Sequence, residues 1–166
     1  MILDNKAQTS AEFLLLFGSL ILIIMASIGF IASENELTMA MVAARNGVGE
    51  GSVSSISAIF SKDTYHEYSQ ENNLLLVPSS VEIINITYND LGHDSAYDKE
   101  KIQFRVYAHS SKDLDKKELD SIGDRINYNL RKSIALTFES TKSTNKLFNP
   151  VFSQHYVFTT ANVKWV

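Results

Sequence analysis

Residues 13–32 read FLLLFGSLILIIMASIGFIA, twenty positions without a charged side chain. No other feature limits the fold so strongly. At a rise of about 1.5 Å per residue, such a run forms a helix roughly 30 Å long, the thickness of a bilayer core. A helix apolar on every side needs surroundings that are apolar on every side, either lipid or a protein interior. The mean hydropathy of the whole chain is only −0.06, because a polar remainder offsets this segment. A length of 166 residues leaves room for one long helix and one smaller domain.

The flanks of the run are wrong for a conventional secretory signal, which has a basic start and a small-residue cleavage site after the apolar stretch. Residues 1–7 are short and carry one basic side chain, Lys6, and Ile31-Ala32-Ser33-Glu34 is a poor cleavage match. The apolar segment is therefore expected to remain in the mature protein. Just before it stands Lys6-Ala7-Gln8-Thr9-Ser10-Ala11-Glu12-Phe13. This stretch resembles the class III signal of archaeal type IV pilin-like proteins, methanogen type, in which Q-x-S-x-E-[FY] runs directly into a hydrophobic helix. The resemblance covers about thirty residues, from Met1 to Ile31. It implies a cleaved leader of residues 1–7, a cut between Ala7 and Gln8, and an assembly role for Glu12 and Phe13.

Glu12 also has a physical reading. A carboxylate at the edge of an apolar segment is costly unless paired, and cleavage after Ala7 would create an α-amino group on Gln8. In a filament packed by these helices, Glu12 of one subunit could neutralise that amine on a neighbour and set the axial register. Cyclisation of Gln8 would remove the amine. The plainer alternative is a carboxylate that suits the N-terminal end of an ordinary membrane helix.

Beyond Ala32 the pattern turns amphipathic. Leu37, Ala40, Met41, Ala44 and Val48 fall on one helix face, with small residues Ala40, Ala43, Ala44 and Gly47 nearby. A small-residue face can serve close helix packing in lipid, or it can cover the C-terminal domain. Gly47, Gly49 and Gly51 each cost about 1 kcal/mol against Ala in a helix. They predict a weak or broken section in a helix spanning residues 8–60, where Val53, Ile56 and Phe60 resume the spacing. Residues 61–80 read as a connector, although Leu74-Leu75-Leu76-Val77 needs burial.

Two alternating runs follow. Ile84, Ile86 and Tyr88 interleave with Asn85 and Thr87; Ile102, Phe104, Val106 and Ala108 interleave with Gln103, Arg105 and Tyr107. Both predict half-buried strands, joined by a loop over residues 90–101. Asp115 and Glu118 form a capping box ahead of Leu119, Ile122, Ile126, Leu130, Ile134 and Phe138, which predicts a helix over 115–138. Residues 156–166 predict one further strand, with Val157, Thr159, Ala161, Val163 and Trp165 on a single face. The expected fold is α+β: a long hydrophobic N-terminal helix, then a ββαβ head domain over residues 61–166 with an antiparallel or mixed sheet.

Few residues suggest chemistry. Asp90, His93, Asp94, Asp98 and Glu100 could in principle hold Ca²⁺, but their spacing departs from an EF-hand, and a solvated acidic loop is the commoner case, so no metal is expected. Asn85-Ile86-Thr87 is an N-glycosylation sequon. His66, His93, His109 and His155 are scattered, no catalytic motif is present, and there is no cysteine. Neither enzymatic activity nor a cofactor is expected. A net charge of −4 without a basic run argues against nucleic acid as a partner.

The resemblance implies a structural pilin, held in the cell membrane before assembly and in an extracellular filament afterwards. Its implied partners are identical or related pilin subunits, a prepilin peptidase, an assembly ATPase and a membrane platform. The alternative is a membrane-anchored extracellular binding or sensor domain that is processed but never polymerised. Mass spectrometry of the mature protein should find Gln8, open or cyclised, at the N-terminus with the apolar run retained. A terminus at Met1, or beyond Ala32, contradicts this reading.

Overall fold

The computed structural model describes residues 5–53, 81–111 and 113–166. In chain order the elements are α1 (Asn5–Val53), β1 (Val81–Asp94), β2 (Lys99–Ser110), α2 (Lys116–Thr137), β3 (Val151–Phe152), β4 (Tyr156–Thr160) and β5 (Lys164–Trp165). The class is α+β, as the sequence predicts. Two compact units share the chain, residues 1–38 and residues 39–166, so the last turns of α1 belong to the unit that holds the sheet.

The glycines of α1 correct one expectation. The helix runs unbroken for 49 residues, straight through Gly47, Gly49 and Gly51. The continuation to Phe60 and the connector with Leu74-Leu75-Leu76-Val77 lie outside the described residues. Within the second unit, α1 buries Ala40, Ala43, Ala44, Gly47, Val48 and Gly51, spaced three or four apart along one face. A Cβ at Gly47 would collide with the Asn129 carbonyl oxygen and stand 2.8 Å from Ser133 Cβ. At Gly51 it would stand 3.2 Å from Ile126 Cα. Two of the three glycines are therefore contact points against the α2 backbone, and packing there outweighs their low helix propensity. The small-residue face covers the C-terminal domain, one of the two roles it was expected to fill.

The capping box of α2 forms as its sequence requires. The Asp115 carboxylate accepts the Glu118 N–H at 2.8 Å, and Glu118 Oε2 accepts the Asp115 N–H at 2.8 Å. Ile122, Ile126, Leu130 and Ile134 make its buried face. Phe138, the C-cap residue, stacks on Phe158 with 5.7 Å between ring centroids.

β1 and β2 pair antiparallel, with Tyr88 opposite Phe104 and Ile86 opposite Val106. Ile102, Phe104, Val106 and Ala108 are fully buried, so the alternation of β2 reads true. In β1 a register shift falls between Ile83 and Asn85. It brings Ile83 opposite Ala108 and leaves Ile84 53% exposed. The core side of β1 is thus Ile83, Ile86 and Tyr88, because one extra residue reverses the alternation beyond it. The strands also extend past the expected loop limits. β1 continues to Asp94 and β2 starts at Lys99, with Gly92 at φ 78° and Asp98 at φ 54° absorbing the tight turns.

The largest difference is at the C-terminus. The sheet has five strands in the order β1-β2-β4-β3, with β5 also on β2. β4 and β5 both run parallel to β2, so α2 serves as the crossover that parallel pairing demands. The single strand expected over residues 156–166 is divided in two. Ile102 faces Phe158 and Phe104 faces Thr160, but Ala108 faces Trp165. One additional residue therefore sits between β4 and β5. Trp165 shares the α2 side with Phe158, where unbroken alternation would put it with Val157.

The glycine contacts predict opposite outcomes for two neighbouring substitutions. Gly49 has open space around it, so Gly49→Ala should stabilise the protein by up to about 1 kcal/mol through helix propensity. Gly47→Ala should cost about 1–3 kcal/mol, because its Cβ meets backbone that must move. Urea denaturation of both variants in the same detergent measures the difference; equal effects would show that this contact does not hold α1 on α2.

Candidate anchoring and assembly site

α1 is the one helix among the described residues long and apolar enough to cross a membrane. Fourteen large apolar side chains between Phe13 and Ile31 are exposed, Leu15 at 76% among them. Each gains about 1.5–3 kcal/mol when it leaves water, so together they amount to roughly 20–40 kcal/mol. That exceeds the whole stability of an ordinary domain, about 5–15 kcal/mol. The segment is built for lipid or for other apolar surfaces.

Its few polar side chains are satisfied inside the helix. Ser19 Oγ donates to the Leu16 carbonyl at 2.8 Å, Ser27 Oγ to Ile23 at 2.8 Å and Ser33 Oγ to Phe30 at 2.9 Å. Main-chain groups are paired by the helix itself, so nothing in the run depends on water for a hydrogen bond. Sequence reasoning passed over these serines, although their neighbours three and four positions back are the usual acceptors for a helical hydroxyl.

Ala7 and Gln8 fall in the first turns of α1, which starts at Asn5, ahead of the expected helix start at Gln8. Helical backbone thus spans the expected cleavage junction. Glu12 is exposed at the edge of the apolar run, and Phe13 beside it stacks on Phe17, ring centroids 6.1 Å apart.

The other candidates lie in the β1–β2 hairpin. Asn85 is exposed opposite Tyr107 on the polar side of the sheet, and its Oδ1 accepts the Ile86 N–H at 2.8 Å. In the acidic turn the carboxylates have partners. Asp94 accepts Lys101 Nζ at 2.9 Å and the Ala96 N–H at 3.0 Å. Asp90 accepts the Gly92 N–H at 2.8 Å, and His93 stands 3.4 Å from Asp98 and 3.5 Å from Glu100. Among the described residues no three histidines or carboxylates are grouped as a metal site would require. His66 lies outside the described residues.

Comparisons with protein-family models, curated proteins and solved structures find no match for this chain. Its class rests on architecture: a long, exposed apolar N-terminal helix and a small α/β domain with a mixed sheet, the arrangement of a pilin-like or membrane-anchored protein.

Asp94 supplies a pH test of the hairpin. The hydrogen bond from Lys101 and that from the Ala96 N–H hold its carboxyl below the ordinary range. A depressed folded-state pKa stabilises the fold above the unfolded-state value, near 4, and that support is lost as pH falls through the folded value. NMR titration of Asp94 should show a pKa that rises toward the ordinary value in Lys101→Met, with hairpin amide protection failing at a higher pH than in wild type.

Proposed function

We propose that this chain is a structural subunit of an archaeal type IV pilus-like surface filament, with no enzymatic role. A prepilin peptidase removes residues 1–7. The subunit then rests in the membrane through residues 13–32 until an ATPase and its membrane platform pass it to the growing filament. There the same segments of identical or related subunits pack together. The observation that carries this reading is the exposed apolar helix directly behind the Gln8–Phe13 motif. Its apolar surface and internally bonded serines suit lipid and a helix bundle equally. A helix that must serve in both places needs that property.

Isolating surface filaments and identifying this chain along them tests the proposal. Its confinement to the membrane fraction in filament-bearing cells would favour a processed anchor that does not polymerise.

Glu12 gives a sharper test. Removing one member of a buried ion pair leaves the other charge uncompensated, at about 3–5 kcal/mol. In the membrane-held monomer the same groups lie near water and lose little. Glu12→Gln should leave expression, cleavage and membrane insertion intact while cutting incorporation into filaments by a hundredfold or more. Normal incorporation would show that the carboxylate does not register the subunits.

A further inference from the structure

Asn85-Ile86-Thr87 is the one sequon in the chain, and neither anchoring nor assembly uses it. β1 sets its two polar side chains on one face. Strand residues two apart point the same way. The residue inserted at Ile84 turns Asn85 and Thr87 to the side opposite Ile83, away from the buried row of β2. Asn85 is exposed and Thr87 partly so. The Asn85 Oδ1 accepts the Ile86 N–H at 2.8 Å, and no hydrogen bond to a described residue engages Nδ2. β1 is also the end strand of the sheet, so no strand among the described residues flanks this amide on its outer side.

We propose that Asn85 carries an N-linked glycan whose first sugar lies against the Tyr107 ring. The reaction joins Nδ2 to the anomeric carbon of a sugar held on a polyprenyl diphosphate. The C–O bond to the diphosphate breaks, and the diphosphate departs with the electron pair. Nδ2 gives up one proton to the transferase, and nothing is oxidised or reduced. Thr87 presents the hydroxyl that the sequon requires from the same face.

Tyr107 stands directly opposite Asn85, and paired residues of this kind have Cβ atoms about 5 Å apart. On the far side of β2 its partner is Lys164, whose Nζ sits 5.5 Å from the ring centroid and steadies the ring. The electron-rich face of an aromatic ring suits the C–H face of a pyranose. A bulky group on an exposed asparagine displaces no packed side chain. It also stands beside an edge that needs shielding. The 14-residue β1, VEIINITYNDLGHD, contains neither lysine nor proline, two residues that commonly keep such edges from pairing with other chains. The modification needs only export of the sheet-bearing unit. A filament subunit and a processed anchor both satisfy that condition, so its failure leaves the filament proposal standing.

Full-length protein is isolated from an archaeal host whose own surface proteins are N-glycosylated, and is digested with trypsin. The peptide of residues 63–99 holds this sequon and no other. It should carry sugar, with fragment ions placing it on Asn85. Asn85→Gln and Thr87→Ala should each lose the sugar completely, and Thr87→Ser should keep it. Made in a bacterium without the transferase, all three variants should melt with wild type, which shows that they fold. In the glycosylating host, Asn85→Gln should melt below wild type, and the same comparison in a Tyr107→Ala background should show no difference. An unmodified wild-type peptide, or sugar that persists in Asn85→Gln, overturns the site. A melting difference that is absent in wild type, or undiminished without the Tyr107 ring, overturns the placement of the sugar.

Discussion

The Asn129 carbonyl oxygen lies where a Cβ at position 47 would have to be. At this crossing α1 can rest its backbone on α2 only through residues with no side chain, and it provides Gly47 and Gly51 there, on the same buried face as Ala40, Ala43 and Ala44. α2 then carries two loads. Its Asn129 and Ser133 meet Gly47, with Gly51 also close to Asn129, and its Ile126, Leu130 and Ile134 belong to the core with Phe104 and Phe158. Two of the three glycines that weaken α1 as an isolated helix, Gly47 and Gly51, are thus the ones that let it approach α2.

A second consequence of local geometry runs through the sheet. β2 is the common partner of β1, β4 and β5, and its fully buried Ile102, Phe104, Val106 and Ala108 form the reference row. The strands on either side of it each carry an extra residue, at Ile84 in β1 and between Thr160 and Lys164 on the other edge. Each insertion reverses the pleat beyond it. In β1 the result is an exposed isoleucine. On the other edge it turns Trp165 toward Gly123 of α2.

The two parts of α1 answer to different surroundings. Around residues 13–32 the apolar surface has no preferred side, and even the serine hydroxyls are returned to the helix backbone. Around residues 40–51 the apolar surface is a narrow stripe matched to one partner. A segment of the first kind can exchange lipid for other helices with little change in its own bonding. A segment of the second kind is committed to a particular protein surface. This division within one continuous helix suits a pilin-like or membrane-anchored protein.

Much was determined by the sequence alone, because the features concerned depend on residues close together in the chain. The apolar run, the capping box of Asp115 and Glu118, the spacing of α2 and the alternation of β2 are all local patterns with a single physical solution. Other features were decided by tertiary contact. Three glycines within five residues signal a break until a facing helix backbone makes two of them necessary. A run of alternating residues over 156–166 signals one strand until its pairing with β2 shows an inserted residue. Parallel pairing, and the approach of Gly123 to Val163 and Trp165, depend on which strand lies beside which. That choice is made by the burial of side chains far apart in sequence, and no local pattern encodes it.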